Sequence, residues 1–288
     1  MPRVIVAKPT GFCFGVERAV TLAREGLKRF GKVYTFGQLV HNPQVLDELS
    51  RAGIKAVRKL DEVRDGALVI RAHGCPPEVF KECEKRGIEV IDATCPYVRR
   101  VQEVARRLAA EGYQVVVVGE RNHPEVRAIL AAAGEGARVF SPRIKLAGKV
   151  GIVAQTTVGR ERLKEAVANS LNFRYNEIRV FDTVCAEVVA RQEAVLRMAK
   201  RVDAIVVVGG KNSANTRRLA EIARSTRKPV VHLTGASGLN LRRWGRFKVI
   251  GIVAGASTPA RVVEEIARTV RNSGCDKQPS LRRSDSNE

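Results

Sequence analysis

The chain has 288 residues, of which 44% are hydrophobic and 5% aromatic, so it can bury a core and is not a largely disordered protein. Its net charge of +21 is spread in doublets and triplets of Lys and Arg, which favours a basic surface attracting anionic substrates or an acidic protein donor over a nucleic-acid binder. No signal peptide or apolar stretch of roughly 18 residues is present, and we expect a soluble, cytoplasmic protein without a membrane partner.

Short Val- and Ile-rich runs alternate along the chain with longer helical patterns, which is typical of βα units and mostly parallel sheets. The predicted strands are 3–7, 33–36, 67–71, 90–92, 115–119, 150–154, 178–181, 204–208, 230–233 and 249–254. The predicted helices include 16–29, 43–52, 77–86, 97–111, 161–168, 188–200, 215–225 and 259–270. The sequence therefore predicts an α/β fold.

A local repeat divides this pattern into three parts. The run that ends at Cys95 resembles the run that ends at Cys185, and the run that ends at Cys13 is a looser third copy. Each copy is a strand end followed by a cysteine and a helix. We predict α/β modules over 1–95 (with the N-terminal strand and Cys13), 96–184 and 185–275, and a disordered tail over 276–288. Three modules around a common centre would bring the three sulfurs together.

The repeated cysteines favour a metal site over three separate buried thiols. Cytosolic thiols are kept reduced, so disulfides are not expected. A single cysteine after a strand is more often a small buried hydrophobe than a ligand, but three in the same context reverse that preference. Cys75, Cys83 and Cys275 lack the context and are interpreted as inert. The chain has no CxxC pair, which argues against a zinc ribbon or a compact ferredoxin motif.

Polar residues that suit an anion site follow several predicted strands, at the sheet edge where open parallel sheets bind ligands. They are His73, His123, Glu125, Thr156, Thr157, Ser213, Asn215 and Ser257, and His41 begins a separate loop. The two serines and the asparagine would also suit helix N-caps, a reading compatible with anion binding because spare N–H groups at a helix N-terminus attract anions. The clustered histidines are interpreted as donors to a diphosphate, with protonation adding charge to their hydrogen bonds.

Taken together, these motifs resemble the 4-hydroxy-3-methylbut-2-enyl diphosphate reductase (LytB) family, which contains the last enzyme of the non-mevalonate isoprenoid pathway. The ordered matches are Gly11-Phe12-Cys13-Phe14-Gly15-Val16, His41-Asn42-Pro43, Ala72-His73-Gly74, Asp92-Ala93-Thr94-Cys95-Pro96, His123-Pro124-Glu125-Val126, Gln155-Thr156-Thr157, Lys211-Asn212-Ser213 and Ala254-Gly255-Ala256-Ser257.

The resemblance implies a pseudo-threefold trefoil of three small α/β domains around a 4Fe-4S cluster, which is held by Cys13, Cys95 and Cys185 and has one iron without a cysteine. It implies reductive dehydroxylation of the allylic diphosphate to isopentenyl and dimethylallyl diphosphate, with electrons from a ferredoxin- or flavodoxin-type donor. By resemblance, the catalytic residues are Glu125 as proton source, Thr156, which positions the hydroxyl, and His123. The implied substrate-binding residues are His41, His73, His123, Thr156, Ser213, Asn215 and Ser257.

The chain departs from the family pattern after its third repeated cysteine. Val188 replaces a usual threonine, Glu187 adds a carboxylate, and Ala214 replaces a frequent second serine. These changes affect the expected cluster potential, rate or substrate preference, but they leave the cysteine set intact.

Three other functions fit parts of the sequence. A pure electron-transfer protein would explain the cysteines but not the histidines and Glu125. A nucleotide-dependent dehydrogenase would show GxGxxG after its first strand, and none is present. A nucleic-acid binder would bind duplex with a steep salt dependence.

Overall fold

The chain folds as three α/β units, each built on one four-stranded parallel sheet, in a computed structural model that describes residues 1–172, 174–240, 244 and 246–272. This confirms the predicted fold class. Cys275 and the predicted tail over 276–288 lie outside the described residues.

The first unit carries helices on both faces of its sheet. Its elements are α1 (Phe14–Phe30), β2 (Val33–Phe36), α2 (Pro43–Arg51), β3 (Ile54–Val57), β4 (Ala67–Ile70), α3 (Pro77–Lys85) and β5 (Glu89–Asp92). The strand order is β3-β2-β4-β5. Ala19, Val20 and Ala23 recur at helical spacing on α1 and pack against Val33 and Val69 of the sheet. The apolar face of α1 therefore forms part of the core of this unit.

The second unit repeats this arrangement. Its elements are α4 (Pro96–Ala110), β6 (Gln114–Val118), α5 (Pro124–Ala133), β7 (Arg138–Val139), β8 (Gly148–Ala154), α6 (Arg160–Ser170) and β9 (Tyr175–Phe181). The strand order is β7-β6-β8-β9. Val115 and Val117 pack with α4 and α5, whereas Val116 and Val118 face α6 on the other side. This alternation explains why the central strands are apolar throughout.

The third unit includes the first strand of the chain. Its elements are β1 (Arg3–Val6), α7 (Ala186–Ala199), β10 (Ala204–Val208), α8 (Ala214–Ser225), β11 (Val230–Leu233), β12 (Val249–Ala254) and α9 (Ala260–Asn272). The strand order is β1-β12-β10-β11, with Val4 opposite Ile250. The assignment of the N-terminal strand to the first module is corrected, because its backbone hydrogen bonds go to the far end of the chain. The predicted module boundaries themselves stay predictions.

The predicted strand-cysteine-helix repeat marks the passages between units. β1, β5 and β9 are edge strands, and each leads through a loop to a cysteine at the N-cap of a helix. That helix packs on the next sheet: α1 on the first, α4 on the second and α7 on the third. Cys13, Cys95 and Cys185 therefore occupy equivalent junctions.

Two short strands, β3 and β7, are absent from the predicted set. β3 has only four residues, one of them Lys55, and follows closely on the end of α2, and β7 has two residues, so neither shows a strong strand pattern. Among the described residues, no helix combines the length and hydropathy needed to cross a membrane.

Candidate functional site

All the predicted site residues line one cavity where the three units meet. They are Cys13, His41, His73, Cys95, His123, Glu125, Thr156, Cys185, Ser213, Asn215 and Ser257. Residues far apart in sequence thus share one space.

The three cysteines are attached to the cavity wall by equivalent backbone hydrogen bonds. The amide of Cys13 donates to the Ala256 carbonyl at 2.9 Å, that of Cys95 to Ala72 at 3.0 Å, and that of Cys185 to Thr156 at 2.9 Å. Each acceptor lies in a loop that follows the strand beside the cysteine's own edge strand. This pairing sets each cysteine beside a predicted substrate residue.

The sulfur end of the cavity, formed by Cys13, Cys95 and Cys185, has free thiols at three helix N-termini. Burial raises the pKa of the Cys13 and Cys95 thiols, and nearby helix amides act in the opposite direction. A side chain at Gly15 would place its Cβ 2.7 Å from the Cys95 Sγ, so glycine leaves this sulfur accessible. A bound cation would offset the cost of the buried thiolates.

The imidazole end, formed by His41, His73 and His123, brings three rings together. The ring centroid of His73 lies 5.0 Å from that of His41 and 5.1 Å from that of His123. Burial, with nearby positive charge, lowers the pKa of His41 to about 4 and that of His123 to about 3, and it lowers the pKa of His73. The rings are therefore neutral at neutral pH without a ligand. The expectation that protonation adds charge to their hydrogen bonds concerns the anion-bound site and stays a prediction, because a bound diphosphate would raise these pKa values.

The tautomer of His123 distinguishes an anion site from a metal site at the imidazole end. One ring nitrogen from each histidine lies within 4.8 Å of the others, which a transition metal could use. The Nδ1 of His123, however, accepts a hydrogen bond from the Glu125 amide at 3.2 Å. Its Nε2 then carries the proton of the neutral ring and has no lone pair for a metal. The arrangement favours an acceptor-rich ligand.

Several buried polar atoms of the cavity wall have no partner among the described residues. They are both ring nitrogens of His41, the Nδ1 of His73, both amide atoms of Asn215 and the Oγ of Ser257. Ser213 differs, because it is the N-cap of α8 and its Oγ accepts from the Thr216 amide at 3.3 Å. Buried polar groups without partners are costly, so this wall is built for a hydrogen-bonding ligand. The start of α8 adds a favourable dipole for an anion.

Glu125 lies between the two ends of the cavity and is almost fully buried, at 1% exposure. The Thr156 amide donates to its Oε1 at 2.7 Å, and the Thr156 hydroxyl donates to its Oε2 at 3.0 Å. Burial raises the pKa of Glu125 to about 7, although these two hydrogen bonds lower it. A glutamate in the first turn of a helix, as here in α5, is often a surface residue that interacts with the helix dipole, but Glu125 is buried and is not such a residue. It can hold a transferable proton near neutral pH.

The family model described as LytB protein matches residues 4–271. The chain belongs to the LytB family. This confirms the resemblance of the motifs, and the family is expected to carry an iron-sulfur cluster.

Two relatives named 4-hydroxy-3-methylbut-2-enyl diphosphate reductase illustrate the similarity. The protein of Geotalea uraniireducens (strain Rf4) is 40% identical over 280 residues, which cover 96% of this chain and 99% of that protein. The protein of Aquifex aeolicus (strain VF5) is 41% identical over 281 residues, covering 94% and 96%.

Two solved structures are also similar. A structure of (E)-4-hydroxy-3-methyl-but-2-enyl diphosphate reductase, described as the terminal enzyme of the non-mevalonate pathway, is 40% identical with a TM-score of 0.69, covering 94% of this chain and 100% of that one. The reductase structure from Plasmodium falciparum is 26% identical with a TM-score of 0.84, covering 93% and 87%. The three-unit architecture is thus that of the LytB family.

One buried residue near the sulfur end was missed by sequence reasoning. Arg191 on α7 is 1% exposed and donates to the carbonyls of Pro9 at 2.9 Å and Gly11 at 3.2 Å. It therefore connects the helix that begins at Cys185 to the segment that carries Cys13. The sequence signal that could have identified Arg191 is its position among the apolar residues of α7. Glu187 and Val188, at which the chain differs from the family pattern, both line the cavity.

Proposed function

We propose that this LytB-family oxidoreductase reduces (E)-4-hydroxy-3-methylbut-2-enyl diphosphate to isopentenyl diphosphate and dimethylallyl diphosphate. The single observation that carries the proposal is the shared cavity, where three free thiols, a buried glutamic acid and an unpartnered set of hydrogen-bonding groups face one space. The family membership supports the same reaction. The enzyme then performs the last step of the non-mevalonate pathway.

In this proposal, Cys13, Cys95 and Cys185 hold a 4Fe-4S cluster. The fit is supported by three free thiols at three helix N-termini and by Gly15, which leaves space beside the Cys95 sulfur. Three thiolates for four irons leave one iron open to substrate. When bound, the cluster supplies two electrons in single steps and a Lewis-acidic iron.

The imidazole end and the neighbouring polar wall bind the diphosphate. The donors around the anion are N–H and O–H groups of His41, His73, His123, Ser213, Asn215 and Ser257. Those of their atoms that have no partner among the described residues gain hydrogen bonds from the anion. Enclosure of the diphosphate by these groups holds the hydroxymethyl end of the substrate toward the sulfur end.

Glu125 supplies the proton that turns the departing hydroxyl into water. Hydroxide is a poor leaving group, so a group that is protonated near neutral pH is needed at this position. Thr156 donates hydrogen bonds to both carboxyl oxygens of Glu125, and the Thr156 hydroxyl can also orient the substrate oxygen. The His123 ring accepts a hydrogen bond from the Glu125 amide. It thereby fixes the start of α5, from which the side chains of His123 and Glu125 project.

The electrons are proposed to come from a ferredoxin- or flavodoxin-type protein, for which a basic chain is a suitable partner. The free thiols of the described residues suit a reducing compartment, and a cytoplasmic location stays a prediction.

Anaerobic purification followed by a reductase assay tests the function. We expect brown protein with about four irons per chain that consumes the allylic diphosphate and forms both products. The corresponding alcohol without phosphates serves as the matched control and should bind poorly. Iron-replete protein that transfers electrons to acceptors but leaves the diphosphate unchanged would favour the electron-transfer alternative instead.

A further inference from the structure

Arg71 lies beside the imidazole end, and its guanidinium group has no carboxylate partner in the part of the chain that the structure describes. Arg71 directly follows β4 and is two residues before His73. It is partly buried, and its Nε is a buried donor without a partner among the described residues. No described carboxylate forms an ion pair with it. Buried charges are normally paired, so Arg71 requires an explanation.

The backbone around Arg71 is shaped to hold the guanidinium in this position. Gly37 has a φ of +75°, and a Cβ there would lie 2.7 Å from the Arg71 Nη1. The same Nη1 donates to the Gln38 carbonyl at the long distance of 3.5 Å. The Gln38 side chain accepts from Asn212 at 3.3 Å, in the loop that leads to Ser213. Arg71 thus lies under the junction of two loops that carry diphosphate residues.

The charge of Arg71 acts on the imidazole end, and no carboxylate of the described residues neutralises it. It contributes, after burial, to the lowered pKa of His41, His73 and His123. Arg217, a second cation that acts on His41 and His123, is instead paired with Glu120 at 2.6 Å. In the ligand-free cavity the three imidazoles are neutral, so before the anion binds they offer donors but no net positive charge. The cavity therefore needs another source of charge to retain a multiply charged anion.

We propose that Arg71 is a positioning residue for the substrate, supplying through the imidazole end the positive charge that balances the diphosphate. The diphosphate in turn is the counterion that Arg71 lacks among the described residues. This inference rests on the proposed function, since it assumes that the anion binds at the imidazole end.

The test measures binding of inorganic diphosphate to anaerobic, cluster-loaded protein by calorimetry, at low and high salt. We expect Arg71→Gln to raise the Kd on the order of 10-fold and to reduce its salt dependence, because one nearby positive charge is lost. Arg71→Lys should recover most of the affinity. In the reductase assay, KM should rise with little change in kcat, since the charge acts equally on substrate and transition state.

Arg64→Gln is the matched control. Arg64 is exposed in the same unit, and it precedes the amino end of β4 whereas Arg71 follows the carboxyl end. At about 3.3 Å per residue the two lie on the order of 20 Å apart, so Arg64→Gln should leave the Kd unchanged. If the Arg64 and Arg71 variants lose the same affinity for diphosphate, the effect comes from the net charge of the protein, and the proposal is contradicted.

The remaining outcomes separate the inference from the proposed function. Wild-type protein that does not bind diphosphate would contradict the anion pocket itself. If wild type and Arg71→Gln bind diphosphate equally well, the anion pocket stands but Arg71 has no role in it. If Arg71→Gln and Arg71→Lys lose the same affinity, the effect comes from side-chain packing rather than from charge. Because an unpaired buried charge is costly, Arg71→Gln should be at least as heat-stable as wild type without anion. A destabilised variant would show that the protein itself satisfies Arg71.

Discussion

The two ends of the cavity are prepared for ligands of opposite charge. At the sulfur end, burial raises the pKa of Cys13 and Cys95, so these thiols stay protonated until a cation compensates them. At the imidazole end, burial lowers the histidine pKa values, so the rings stay neutral until an anion arrives. Glu125, with a pKa raised to about 7, lies between them. One desolvated space can therefore supply metal ligands, a proton and anion donors together, because burial acts oppositely on acids and bases.

The largest expected effect comes from removing a ligand at the sulfur end. Cys13→Ser, Cys95→Ser and Cys185→Ser should each lose iron and abolish reductase activity, because three thiolates leave no substitute for a missing one. Iron analysis and the absorbance of the anaerobic protein measure the loss.

The matched control for these variants is Cys83→Ala, which changes a buried cysteine in the core of the first unit. It should keep both iron and activity. Equal iron loss from this variant would mean that the sulfur end is not the ligand set.

Glu125→Gln should separate proton delivery from the binding done at the two ends. The variant keeps the shape of the side chain but has no ionisable proton, so turnover should fall on the order of 10² while iron content and substrate affinity persist. The wild-type kcat should fall as pH rises through about 7, where the buried carboxyl loses its proton, and the variant should lack this step. Near-normal turnover by iron-replete Glu125→Gln would remove the residue from the mechanism.

Acid should destabilise the protein through the imidazole end. The pKa of His41 is about 4 in the folded protein, against 6.5 for an imidazole exposed to water, so the unfolded chain binds the proton more readily. The stability contributed by the neutral ring is complete above about pH 6.5 and is lost as pH falls toward 4. His41→Asn should relieve roughly 2 kcal/mol of this loss at pH 5. Thermal unfolding of wild type and variant from pH 7 to 5 measures the difference, and parallel pH curves would contradict it.

The smallest expected effect is on substrate affinity when one donor of the polar wall is removed. Asn215→Ala should raise KM and the inhibition constant of inorganic diphosphate about 10-fold, which matches the loss of one or two hydrogen bonds to a charged group. Asn176→Ala, on the exposed edge of β9, is the control and should change neither. Unchanged constants for both Asn215→Ala and His41→Ala would place the anion pocket elsewhere.

Much of the fold was predictable because its signals are local. Short apolar runs mark most strands, and the cysteines that follow the edge strands β1, β5 and β9 recur in a similar context. The partner of β1 was not predictable, since it pairs with β12 at the other end of the chain. The weak strands β3 and β7 were missed because their pairing comes from neighbouring strands rather than from their own composition.

The sequence by itself determined the α/β class, the threefold repeat and the residue types available for metal, proton and anion chemistry, because these depend on local periodicity and side-chain identity. Only the tertiary structure decided how those residues act. It joined Cys13, Cys95 and Cys185 to the loops of Ala256, Ala72 and Thr156. It lowered the pKa of His41 and raised that of Glu125 to about 7, and it left Arg71 without a carboxylate partner among the described residues. The protonation state and the partners of a side chain depend on how far folding removes it from water and on which charges distant parts of the chain bring close to it. The local sequence does not encode these quantities.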